Sequence, residues 1–144
     1  MKKARDIMTS SPRSVTPSDN VLEAARIMRD TDVGIVPVVD DVNSMRLRGV
    51  ITDRDIAVRC VAEGRSGDCQ VSELMSSEII TARPDDDLGT IMDRMKAEQV
   101  RRIPVVDDNQ SLVGIIAQAD IALEASDRRT GDVVEKISEP GARR

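Results

Sequence analysis

The segment Pro37-Val38-Val39-Asp40-Asp41 recurs letter for letter at Pro104-Val105-Val106-Asp107-Asp108, inside a longer match between the two halves of the chain. Met8 aligns with Met75, Pro17 with Pro84, and Val21, Ala24, Ala25 and Met28 with Leu88, Ile91, Met92 and Met95, all at an offset of 67. After the shared Asp pair the first copy carries two extra residues within 42–48. The offset then falls to 65, and Gly49, Asp55, Ile56 and Ala57 meet Gly114, Asp120, Ile121 and Ala122. An insertion confined to a polar stretch between two apolar runs is what a hairpin loop tolerates. Two copies are too few for an open solenoid, so they must close against each other. At 144 residues the chain is long enough to bury roughly two-thirds of its unfolded surface as one domain.

The hydrophobic residues make up 40% of the chain and none is aromatic, so the core must be built of Val, Ile, Leu, Met and Ala, and no base can stack on a ring. A net charge of -5 repels a phosphate backbone and argues against nucleic acid as partner. The start, Met1-Lys2-Lys3-Ala4-Arg5-Asp6, has no apolar stretch behind its lysines, and no apolar run approaches the length of a membrane span. The expectation is a soluble cytoplasmic protein without a membrane partner. Cys60 and Cys69 are too few for a disulfide framework, and with no His in the chain they cannot assemble an ordinary zinc site. Two reduced, incidental thiols or a redox-responsive pair remain as readings.

Each copy reads as short helix, strand, helix, two strands, helix. In the first, Pro17-Ser18-Asp19 offers a helix start ahead of the Val21, Ala24, Ala25, Met28 stripe. Residues 35–39 form a short apolar run carrying Pro37, which predicts a strand with an irregularity. Residues 49–52 are its partner, and 53–62 a helix. The second copy repeats this with a helix start at 84–87, strands at 103–106 and 112–116, and a last helix opening at 120–125. The boundaries follow: 4–62 for the first repeat, 63–70 for a connection rich in Gly and Ser, 71–125 for the second repeat, and 130–144 for a loosely held tail.

The turn from strand to helix at Gly49-Val50-Ile51-Thr52-Asp53-Arg54-Asp55 is the spot richest in chemistry. Thr52 and Asp55 describe a capping box, which needs no ligand to justify it. The second copy keeps Asp120 but places Ala117 where the cap belongs. A carboxylate retained without its capping partner suggests a second use, such as accepting from the vicinal hydroxyls of a ribose, though an Asp in a first helical turn also answers the helix dipole. The other spot is the pair of segments entering the Pro strands, Gly34, Ile35, Val36, Pro37 and Arg101, Arg102, Ile103, Pro104. Proline lacks an N–H, so the ladder is interrupted there and neighbouring backbone groups are free to meet a planar polar edge such as adenine. Arg101 and Arg102 can hold a phosphate bidentately, or can be solvated or paired with Asp107 and Asp108. The run Asp85-Asp86-Asp87 reads as a solvated first helical turn. No Ser–His, Cys–His or Lys-centred constellation exists in the chain, so an enzyme is not expected and the catalytic residues are none.

The arrangement 5–9, 34–40 and 49–56, followed by 100–107 and 114–121, resembles a tandem pair of cystathionine β-synthase (CBS) domains over roughly 4–125, in particular the stand-alone bacterial pairs of the hypoxic-response type. The resemblance implies an α/β fold (α+β by some schemes) of two β-α-β-β-α repeats related by a pseudo-twofold axis and packed sheet to sheet, commonly as a homodimer. It implies a non-enzymatic regulatory and energy-sensing module that needs no cofactor, binds AMP, ADP, ATP or a relative in clefts between the repeats, and signals to a downstream protein. Thr52 and Asp55 would hold ribose hydroxyls, Arg101 and Arg102 phosphate, and the backbone at Ile103–Pro104 adenine. The resemblance further pairs Asp55 with Arg102–Pro104, and Asp120 with Gly34–Pro37. Ala117 makes the Asp120 cleft the weaker. The alternative is a ligand-free dimerisation scaffold, responsive to redox through its two thiols.

Overall fold

The computed structural model describes residues 2–126; the expected tail over 130–144 lies outside them. The chain runs through Ala4–Ile7 (α1), Thr9–Ser10 (β1), Val21–Thr31 (α2), Ile35–Val39 (β2) and Leu47–Thr52 (β3). Asp53–Ile56 (α3) continues into a π-helical turn at Ala57–Val61, followed by Val71–Leu74 (α4), Leu88–Glu98 (α5), Arg102–Val106 (β4) and Leu112–Ala117 (β5). A helix over 118–126 (α6) closes the described chain. These are two small antiparallel sheets, β2-β3 and β1-β5-β4, the α/β repeat architecture expected of the sequence.

Local chemistry explains the boundaries. Asn20, rather than Asp19, caps α2 by accepting from the Leu22 N–H at 2.8 Å. The helix buries Val21, Ala24 and Ile27 and ends where Asp32 turns left-handed at φ 55°. Its counterpart α5 buries Leu88, Ile91 and Met95 and ends at Gln99, φ 56°. In each hairpin the first strand is buried on two faces. Val36 and Val38 of β2 pack against α2 in the first lobe's core, and Ile103 and Val105 of β4 in the second. The alternate residues Pro37, Val39, Pro104 and Val106 are buried too but lie on the opposite faces. Strands apolar on both sides require a second covering layer besides the helices.

The pseudo-twofold axis is visible in hydrogen bonds that come in exchanged pairs. Arg46 and Ser111, equivalent positions of the two copies, bridge to each other. On either side the Leu47 N–H donates to the Gln110 carbonyl at 3.0 Å, and the Leu112 N–H to the Met45 carbonyl at 2.8 Å. The same exchange relates Lys3↔Asp87 to Asn20↔Gln70, and Val50↔Ser76 to the Thr9↔Ile115 pairing.

Those bonds show that the sequence repeats are not the packing units. The leading segment of each repeat completes the other lobe: Ala4, Ile7 and Met8 enter the core around α5 and β5, whereas Cys69, Val71 and Leu74 enter the core around α2 and β2. The 63–70 connection therefore carries the chain into α4, which stays on the first lobe. Gly49 permits this crossing, since a Cβ there would stand 2.3 Å from the Ser76 carbonyl oxygen.

Candidate functional site

On the inter-sheet side of the first lobe, the ends of β2 and β3 and the start of α3 face the entry to β4 across a cavity of about 820 Å³. Gly34, Ile35, Thr52 and Asp55 line one wall; Arg101, Arg102 and Pro104 line another. This is the volume range of small-molecule and cofactor sites.

Thr52 and Asp55 form the expected capping box. The Thr52 N–H donates to Asp55 Oδ2 at 2.9 Å, and the Asp55 N–H donates to Thr52 Oγ1 at 3.0 Å. Each side chain keeps a spare function. Asp55 Oδ1 accepts no hydrogen bond from the described residues, and the Thr52 hydroxyl, already an acceptor, has its proton left to donate. A carboxylate oxygen beside a hydroxyl donor matches two adjacent hydroxyls of a sugar.

Neither Asp of the pair that follows β4 binds these arginines. Asp107 is occupied by the N–H groups of Asn109 and Ser111, and Asp108 pairs with Arg83, so neither partners Arg101 or Arg102. Among the described residues no ion pair involves these two or Arg54, which lines the same cavity. Asp53, Glu78 and Glu98 share the lining. With Asp55 they make four carboxylates to three guanidinium groups.

The second copy departs from what its sequence suggested. Asp120 is exposed and lines neither of the two cavities described here, so neither joins it to Gly34–Pro37. Gly34 and Ile35 line the Asp55 cavity instead, while Val36 and Pro37 turn into buried layers. Even without a cap at Ala117, α6 begins at 118, the position equivalent to the Asp53 start of α3. There the Gln118 N–H donates to the Arg101 carbonyl at 2.7 Å, and its side chain reaches Met92 Sδ at 3.6 Å. A smaller cavity of about 450 Å³ lies here, lined by Met92, Arg101, Arg102, Ala117 and Gln118. Ile103 is fully buried in the second lobe's core and does not line the first cleft. Arg54, Ser76, Glu78 and Glu98 were missed from the sequence; Ser76 and Glu78 arrive on the crossing segment, and only the partner bond Val50↔Ser76 reveals that. The Asp triplet behaves as a helix entry: Asp85 pairs with Arg5, and Asp86 with Arg94 and the Arg83 N–H.

Two lobes exchanging their leading segments, with a cleft between strand ends and a capped helix, define a pair of CBS repeats. The chain belongs to the CBS domain family, which it matches at residues 4–61 and 71–127. It is 40% identical over 139 residues to the CBS domain-containing protein YhcV of Bacillus subtilis, covering 96% of each chain. To hypoxic response protein 1 of Mycobacterium tuberculosis it is 33% identical over 143 residues, covering 99% of this chain and 98% of the other. A crystal structure of Hypoxic Response Protein I with two coordinated zinc ions superposes with a TM-score of 0.75 at 34% identity, covering 84% and 97%. The CBS domain pair of protein MJ0100, in complex with 5-methylthioadenosine and S-adenosyl-L-methionine, superposes with a TM-score of 0.78 at 27% identity, covering 89% and 98%. The zinc has no visible counterpart: the chain has no His, and among the described residues no three His, Cys, Asp or Glu are grouped to hold a metal ion.

Proposed function

We propose that this chain is a non-enzymatic regulatory module that binds an adenosine ligand in the cavity between Asp55 and Arg101–Arg102. The observation that carries the reading is the juxtaposition itself: a spare carboxylate oxygen and hydroxyl donor on one wall, unpaired guanidinium groups on the other, about 820 Å³ between them. Thr52 and Asp55 take the ribose hydroxyls, the arginines take phosphate, and backbone beside Pro104 meets the base. The adenosine ligands of the MJ0100 pair support the class of ligand. Four carboxylates against three guanidinium groups favour a ligand with one phosphate or none, AMP or a sulfonium relative, over a triphosphate. Among the described residues no His, Cys or Lys lines the cavity, so its hydroxyls have no imidazole or amine beside them to act as base.

Because both lobes line the cavity, a ligand touching both walls favours one relative arrangement of the two. A partner protein that distinguishes the arrangements then reads ligand concentration. We place the module in the cytoplasm; among the described residues no helix is long and apolar enough to cross a membrane. The absence of aromatic residues makes the test direct, because bound adenine gives the absorbance near 260 nm over an almost transparent protein. Equilibrium dialysis against AMP, S-adenosylmethionine and 5-methylthioadenosine should retain one base per chain at saturation. Retention of none would favour the ligand-free scaffold.

A further inference from the structure

The connection between the lobes brings the chain's two cysteines together. Cys60, in the π-helical turn, and Cys69, just before α4, face each other with their sulfurs 2.8 Å apart. Both are buried, 1% and 0% exposed, in the core that also holds Val71 and Leu74. Cys69 Sγ donates to Cys60 Sγ, and Cys60 Sγ to the Arg65 carbonyl at 3.6 Å.

The backbone holds this meeting from both sides. The Arg65 N–H donates to the Cys60 carbonyl at 3.0 Å, and the Val21 N–H to the Cys69 carbonyl at 2.9 Å. Arg65 also ties the loop down through Glu73 at 3.0 Å and 3.3 Å, and the Arg59 guanidinium reaches the Leu74 carbonyl at 3.2 Å. Burial, and then the hydrogen bond to Cys60, push the Cys69 thiol up to about 11. At neutral pH Cys69 therefore stands as a thiol, and burial screens both sulfurs from bulky reagents.

We infer that Cys60 and Cys69 are an oxidative modification site that forms one intramolecular disulfide with a small peroxide and reverts with a dithiol reductant. One sulfur, as its thiolate, attacks the peroxide O–O bond, becoming a sulfenic acid while the departing oxygen takes up a proton as water. The second sulfur then displaces the remaining hydroxyl as another water, and the S–S bond forms. Two thiols and one peroxide give one disulfide and two waters, two electrons passing from sulfur to oxygen. The chain holds no third cysteine to divert the sulfenic acid. The bond staples the end of the π-helical turn to the entry of α4, fixing the connection that leads to the Ser76–Glu78 wall of the cavity.

The test treats the native protein with hydrogen peroxide and follows mass, peptide map and melting. The expected product is about 2 Da lighter, restored by dithiothreitol. A non-reducing tryptic map should link peptide 60–65 to peptide 66–94, since trypsin cuts after Arg59, Arg65 and Arg94 but not before Pro84. Closing so short a ring should raise the melting temperature by roughly 5–10 °C. In Cys60→Ser the mass loss and the rise should both vanish. Thiols that stay reduced in the native protein while reacting in urea would overturn the inference, as would disulfides between chains, or a sulfinic acid as the main product. The wild-type mass and map decide the matter even if Cys60→Ser fails to fold.

Discussion

Asp55 divides its two oxygens between the fold and the cavity. Oδ2 receives the Thr52 N–H and closes the capping box, while Oδ1 remains for whatever enters between the lobes. The two roles separate by substitution. Asp55→Ala removes the acceptor and should cost about 0.5–2 kcal/mol in urea denaturation. Asp55→Asn keeps an acceptor for the Thr52 N–H and should cost less than about 1 kcal/mol, while losing the charge that faces the cavity. An Asp55→Ala protein as stable as wild type would mean that the box contributes nothing to α3. Asp120, exposed and uncapped, provides the internal control, because Asp120→Ala should leave stability nearly unchanged.

At the scale of elements, the two copies exchange their leading segments, and close backbone approach makes the exchange possible. Gly49→Ala would push a methyl group into the Ser76 carbonyl and disturb the paired bonds Val50 N–H to Ser76 O, 3.0 Å, and Ser76 N–H to Val50 O, 2.8 Å. The expected cost is about 1–3 kcal/mol. Gly89, on α5, meets nothing within 4 Å of a Cβ, and Gly89→Ala should stabilise by about 0.5–1 kcal/mol. Thermal melts of the two variants should therefore move in opposite directions; movement in the same direction would contradict the crossing geometry. The strands and helices themselves were legible in the sequence, because apolar spacing and the repeat mark them twice. Their exchange was not. Lys3 and Gln70 are equivalent, as are Asn20 and Asp87, so pairing within a copy and pairing between copies ask for the same residue types.

At the scale of the whole molecule, the described residues line two unlike cavities and expose apolar side chains at positions that the repeat relates. Val58 and Val61 on the π-helical turn are 48% and 66% exposed, and Leu123 on α6, the counterpart of Val58, is 55% exposed. Isolated apolar residues need no explanation, but twofold-related ones on adjacent copies match a self-complementary interface. The expected outcome of light scattering at micromolar concentration is twice the chain mass, falling to the chain mass in a V58D/L123D double variant; a monomeric wild type would contradict the dimer. The residues facing the larger cleft were half legible. Thr52, Asp55, Arg101 and Arg102 carry a recognisable pattern, whereas Glu78 and Glu98 lie in no motif and shape the charge of the site only through the fold. A single competent cleft built on Asp55 and the arginines can be checked by isothermal titration of AMP and S-adenosylmethionine into wild type, Asp55→Asn and Asp120→Asn. The expected result is a single tight site in wild type and Asp120→Asn, weakened roughly tenfold or more in Asp55→Asn by the loss of a charged hydrogen bond. Binding abolished by Asp120→Asn and untouched by Asp55→Asn would contradict it.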